Sequence, residues 1–277
     1  MSQYASLLGA VTIDASNNAI RMNEGGVLAT VSIAAGVYYI RGDGAADDLG
    51  TQIRLALNAH PNTTLPNTYV VDTITVADAY HVSTIIKVSL ASGTSSFQLL
   101  FADALTTFDA SLIGFAALNT ALDAATKTST LSTPARWISN DVVESLEPGA
   151  EYDVSVMRAR SGRVRGVRRG GPYDLRRLVL RYQDSRRVLA TDNVADPNAS
   201  FARFLQRHGD GTRFEFHSCL GTLYSPDTRT FLVLSSSTRV GLAWIFDEPT
   251  SSMFAPDRVE PGLALYDWDL GLLGWVS

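Results

Sequence analysis

The stretch ATVSIAAGVYYI (residues 29–40) is followed, six residues later, by DDLGTQIRLALNA (residues 47–59). In the first, Val31 and Ile33, then Tyr38 and Ile40, alternate with small or exposed-type residues. That two-residue period marks a strand with one buried face, and Gly36 interrupts it as a turn or bulge would. In the second, Leu49, Ile53 and Leu57 recur every four residues with Ala56 beside them, which lays one apolar stripe along a helix. Asp47 or Asp48 caps the start of that helix, and His60-Pro61-Asn62 ends it.

Outward from this pair, β-branched runs at 69–76 and 82–90 read as strands, with another at 96–101 (SFQLLF). Residues 111–115 (SLIGF) form a short apolar segment, and 116–124 is a candidate helix. The second half repeats the grammar, with strands at 152–160, 175–182, 213–217, 230–235 and 240–246. Asp196-Pro197 opens a helix there, an aspartate cap followed by proline in the first turn. Its inner stripe is Phe201, Phe204, Leu205 and His208, and Gly209 closes it. The expected fold class is α+β, mainly β: two β-rich domains, sandwich or barrel-like, each with one short amphipathic helix. Residues 126–134 (TKTSTLSTP) are small, polar and without period, so they read as a linker between domains at 1–130 and 131–277. No residue-level repeat aligns the two halves.

Hydrophobic residues make up 45% of the 277 and charged residues 18%, enough to bury a core and unlike a disordered chain. No run reaches the roughly 18 apolar residues of a membrane helix, and the N-terminal residues lack the pattern of a secretory signal. No membrane partner is expected, and a cytoplasmic site of synthesis fits. The single cysteine, Cys219, makes no internal disulfide and cannot by itself hold zinc. Residues 1–130 carry five basic and ten acidic side chains, whereas 131–277 carry 18 of each.

Signatures of catalysis are weak. His60, His81, His208 and His217 form no HExxH or Cys/His cluster. His208 and His217 could approach each other near Glu215 as metal ligands, but a pair of partly exposed imidazoles around a hairpin is the favoured reading. Nucleophile elbows and phosphate loops are missing, and Gly42-Asp43-Gly44 lacks the third glycine of a dinucleotide site. Asp47-Asp48 suits a helix start, where the dipole favours negative charge. Asp267 and Asp269, two apart in LYDWDLGLL, would face one side of a strand at a spacing a glycosidase could use. Their apolar and aromatic neighbours favour a structural strand. Catalytic, metal and cofactor residues are therefore each expected to be none, and the chain is not expected to be an enzyme.

The loudest local signal is RARSGRVRGVRRGG (residues 158–171), with six arginines: Arg158, Arg160, Arg163, Arg165, Arg168 and Arg169. It is too polar for a core and reads as a long exposed loop or hairpin tip. Three readings stay open: a solvated loop, an arm docking on acidic surface of a neighbouring subunit, or a nucleic-acid contact. The net charge of −5 and the lack of interleaved aromatics argue against nucleic acid. Aromatics cluster late, at Trp244, Phe246, Phe254, Tyr266, Trp268 and Trp275, suited to a glycan surface or to core and interface packing. The C-terminal LGLLGWVS is apolar to its end, so it should be packed. The expected interface residues are the six arginines and Trp275.

The series IAAGVYYIRG (33–42), DDLGTQIRLALNA (47–59), TYVVDTITV (68–76), HVSTIIKVSL (81–90), SFQLLF (96–101) and SLIGF (111–115) resembles a module of tailed-bacteriophage structural proteins. The likeness spans about 85 residues and is one of hydrophobic pattern. In the second half, FARFLQRHGDGTRFEF (201–216) is similar to tail-tip proteins of the distal tail or tube-initiating kind, where a short helix precedes a Gly-x-x-Phe-x-Phe strand. The arginine-rich stretch departs from that pattern. The resemblance implies a virion protein, a tail or tail-tip (baseplate) component that packs into a ring with copies of itself and neighbouring virion proteins. A glycan-binding adhesin and a head decoration protein are the alternatives.

Overall fold

A computed structural model describes residues 2–59, 67–77, 82–93, 96–122, 125–138, 145–158, 164–184, 196–208, 214–223, 232–254 and 265–275. The described chain is α+β and mainly β, with two α-helices. Among the described residues no helix is long and apolar enough to cross a membrane.

The fold-deciding stretch forms as its period requires. Strands β2 (Val11–Ile13), β3 (Ala19–Glu24), β4 (Val27–Ser32) and β5 (Gly36–Tyr38) enclose it, and Val31, Ile33, Tyr38 and Ile40 are all buried. Helix α1 (Leu49–Asn58) buries Leu49, Ile53, Ala56 and Leu57. Asp48 is its cap: one carboxylate oxygen accepts from Thr51 N at 2.9 Å, while the other accepts from Arg41 N and Gly42 N at 3.0 Å. Asn58 ends α1 by imitating a strand partner. Its amide donates to Tyr69 O (3.0 Å) and accepts from Tyr69 N (2.7 Å), tying the helix to β6 (Thr68–Ala77).

Strand β6 pairs with β7 (Val82–Ser92), which pairs in turn with β9 (Thr126–Thr128). Strand β8 (Phe97–Leu99) joins β3 and β4 in a second three-stranded sheet, and β2 pairs with β5. These small sheets and α1 share one apolar core, running from Val11 to Ala135. Tyr69 and Phe97 meet edge to face in it, 5.1 Å apart.

Residues 116–122 are not helical. Leu118 and Leu122 are exposed, and the chain instead lines up beside β8. Thr120 N donates to Leu99 O (2.9 Å), Leu99 N donates to Thr120 Oγ1 (2.9 Å), and Asn119 Oδ1 accepts from Ala102 N (3.0 Å). Polar side chains that can bond a neighbouring backbone outweigh a two-leucine stripe. The apolar residues just before it form a 3-10 turn, Ala110–Ile113, capped by Asp109 and closed by Gly114 in the left-handed region (φ 77°). A Cβ at Gly114 would stand 2.0 Å from Leu131 O. Gly114→Ala is expected to cost more than about 2 kcal/mol, since strain and overlap add; a urea melt measures it.

The segment read as a linker, residues 126–134, is packed along much of its length. Lys127, Ser129, Ser132 and Thr133 are buried. The reason is that its hydroxyls replace strand partners: Ser129 Oγ accepts from Ile86 N (3.0 Å), and Thr133 Oγ1 donates to Leu112 O (2.6 Å). Ser132 presents both its N–H (2.9 Å) and its hydroxyl (2.6 Å) to Asp196 Oδ2. Asp196 therefore does not cap a long helix. It precedes a 3-10 turn at Pro197–Ala199, and helix α2 runs over Phe201–His208. Phe201, Phe204 and His208 are buried on α2 and Leu205 only partly. Asp196→Ala is expected to lower stability by about 1–3 kcal/mol, leaving two buried donors unpaired; thermal denaturation reads it.

The largest sheet is antiparallel, in the order β10-β1-β13-β14-β15-β12-β11. Its strands are β10 (Arg136–Ile138), β1 (Ser2–Gly9), β13 (Phe214–Leu223), β14 (Leu232–Phe254), β15 (Leu265–Trp275), β12 (Val164–Asp184) and β11 (Ser145–Arg158). Strand β1 is bonded on both sides, and Ser6, Leu7 and Leu8 are buried. The strands expected at 230–235 and 240–246 are one continuous strand, β14. Strand β15 lies between β12 and β14, so the apolar run near the C-terminus is paired on both edges.

Candidate assembly interface

Of the two forms expected for the arginine-rich stretch, a long loop or a hairpin, its described residues take the second. Strand β11 runs to Arg158 and β12 starts at Val164, opposite it. Five pairs form its outer part, from Val154↔Arg168 through Ser155↔Val167, Val156↔Gly166 and Met157↔Arg165 to Arg158↔Val164. A bulge interrupts the ladder at its root, between the Tyr152↔Pro172 and Val154↔Arg168 pairs. Arg169, Gly170 and Gly171 fall in it. Two glycines and a proline without an N–H are the residues a bulge accommodates.

What makes the hairpin an interface candidate is the position of β15. It joins β12 only from Tyr173 onward, at the Tyr173↔Trp275 pair. Residues 164–168 and 172 of β12 have β11 as their one strand partner among the described residues. The hairpin therefore runs roughly 25 Å past the end of β15, at about 3.3 Å per residue; residues 232–241 of β14, paired with β13, pass the same end of β15. Arg158, Arg165 and Arg168 lie on the overhang and Arg169 on its root bulge. Trp275 ends β15 where the overhang begins. Arg160 and Arg163 lie outside the described residues. The register thus brings five of the seven expected interface residues to one projecting ribbon and its base.

A second arrangement was not foreseen. Arg41, at the end of the 29–40 run, has a side chain only 7% exposed. Its Nε donates to Glu215 Oε2 (2.8 Å), one terminal nitrogen donates to Glu215 Oε1 (2.6 Å) and to Asp47 Oδ2 (2.8 Å), and the other donates to Asp47 Oδ1. The Tyr39 ring lies 5.0 Å from the guanidinium carbon. Glu215 is fully buried on β13, and Asp47 is half exposed. Burial by itself would lower the guanidinium pKa, but the bonds and charges of Glu215 and Asp47 outweigh it and raise it. Arg41 stays charged wherever the chain is folded. Arg136 Nη1 donates to Arg41 O (3.2 Å), and Arg136 Nε to Ser6 Oγ (3.4 Å), so the group also reaches β10 and β1. The signal for it was a lone arginine closing a buried strand and a lone glutamate between Phe214 and Phe216.

This arrangement engages Glu215 with Arg41, not with imidazoles. His208 is buried, with its ring 4.8 Å from Phe204 and against the Gly9 backbone. His217 lies on β13, opposite Ser6 and Arg239, while His60 and His81 lie outside the described residues. Among the described residues no group of three or more His, Cys, Asp or Glu side chains is placed to hold a metal. Gly42 and Gly44 take positive φ (74° and 78°) in the loop ahead of α1. Asp267 and Asp269 sit on β15, opposite Ser252 and Thr250 of β14. Cys219, on β13, pairs with Tyr4 and Ser237. The late aromatics fall on two adjacent strands: Trp244, Phe246 and Phe254 on β14, and Tyr266, Trp268 and Trp275 on β15.

Comparisons with protein-family models, with curated proteins and with solved structures give no match.

Proposed function

We propose that the chain is a structural subunit of a tailed-bacteriophage particle, a tail or tail-tip (baseplate) component made in the host cytoplasm and built into the virion. Two β-rich modules, sandwich or barrel-like, pack against copies of the same chain and neighbouring virion proteins to close a ring, and no substrate is turned over. The observation that carries this reading is the overhanging, arginine-bearing hairpin. An isolated two-stranded ribbon is marginal in water, and its open edges are templates for pairing. Such an arm is stabilised when another chain covers it. Arginines suit that contact because their fork binds carboxylates in a fixed geometry, and the first 130 residues carry twice as many acids as bases.

The aromatics on β14 and β15 support a second reading, a glycan-binding adhesin. Negative-stain electron microscopy of the purified chain, paired with a glycan array, separates the two. Closed rings and a blank array are expected. Single particles with saturable glycan binding would contradict the structural role.

A further inference from the structure

Helix α2 turns Arg203, Gln206 and Arg207 outward, and with Pro134 they line a cleft of about 220 Å³. Arg203 Nη1 donates to Gln206 Oε1 at 2.7 Å. That contact uses the amide's acceptor and leaves its nitrogen as a donor beside the two guanidinium groups. Arg207 makes no hydrogen bond or ion pair among the described residues. Partial desolvation of its guanidinium lowers its pKa although the residue is exposed, Asp109 opposes the shift, and Arg203 adds to it. Asp109 is already engaged as a cap, its Oδ1 accepting from Ser111 N (2.9 Å). A cation at the end of a helix is favoured by the dipole, which accounts for Arg207. It does not account for Arg203 one turn earlier, since like charges four residues apart destabilise a helix.

We infer that this cleft is an oxyanion site, taking a compact carboxylate or phosphate group between Arg203, Gln206 and Arg207. An anion there turns the repulsion between the two arginines into two charge-assisted contacts, with the Gln206 amide as a third donor. The group could arrive as a free ion or as a carboxylate side chain carried by a second copy of this chain. The cleft stands on geometry separate from the arginine hairpin and does not depend on the role proposed for that hairpin.

Two measurements on the full chain test it: calorimetric titration with inorganic phosphate at low ionic strength, and sedimentation velocity with and without phosphate. The variants are Arg203→Gln/Arg207→Gln and Gln206→Glu. All change exposed positions, and their melting curves should match the parent. Saturable phosphate binding, weakened about tenfold or more in both variants, supports a site for a free ion. Absence of phosphate heat, with self-association that both variants abolish, supports a carboxylate from a second copy. Phosphate binding and self-association that are both unchanged in the variants, or both absent from the parent, overturn the inference.

Discussion

Arg41→Met is expected to destabilise the fold by about 3–5 kcal/mol, the cost of stranding a buried charge without its partner. Glu215 is fully buried, and both its oxygens accept from Arg41. Removing the guanidinium leaves that carboxylate in a medium that solvates it poorly. The double variant Arg41→Met/Glu215→Leu should recover most of the loss, because it removes the charge together with its partner. Asp47→Asn should cost no more than about 1 kcal/mol, since water reaches that carboxylate. Urea denaturation of the parent, these three variants and Glu215→Leu alone closes the Arg41/Glu215 cycle. A small effect of Arg41→Met alone would mean that the two ends of the chain are not joined through this residue.

Deleting residues 160–170 should produce the second large effect, and on assembly rather than on folding. The deletion removes most of the overhanging part of β12, which β15 does not touch, and keeps the Tyr173↔Trp275 pair and everything beyond it. Circular dichroism should show a strand signal lowered only by the ribbon removed, and a melting temperature within a few degrees of the parent. Particle or oligomer yield should fall at least about tenfold, as expected if the arm holds the few residues that dominate such an interface. A deletion variant that assembles at the parent's yield would sink the docking-arm idea while leaving the sheet intact.

Local pattern carried α1 because its signals agree: Asp47-Asp48 ahead of it, the stripe of Leu49, Ile53 and Leu57, and His60-Pro61-Asn62 after it. The alternation through Val31, Ile33, Tyr38 and Ile40 was legible for the same reason. Local pattern failed where the partner is distant in sequence. Residues 126–134 look like a linker because serine and threonine are turn residues, yet Ile86, Leu112 and Asp196 give their hydroxyls buried partners. Strand β1 carries no strong signal of its own, since the strands on either side of it come from residues 136–138 and 214–223. The arginine stretch read as a loop or hairpin tip because it is too polar for a core, and the register with β11 shows how far its described residues are strand. Of the candidate interface, composition gave the residues; the overhang that makes them an arm depends on where β15 ends. The ion cluster of Arg41 was hidden because Glu215 lies 174 residues from Arg41.

The mass of the intact chain in solution, measured by sedimentation equilibrium at low and at high salt, reports most directly on whether copies cover one another. An oligomer of fixed stoichiometry that loosens as salt screens its arginine contacts is the expected result. A monomer at every concentration and ionic strength would contradict it.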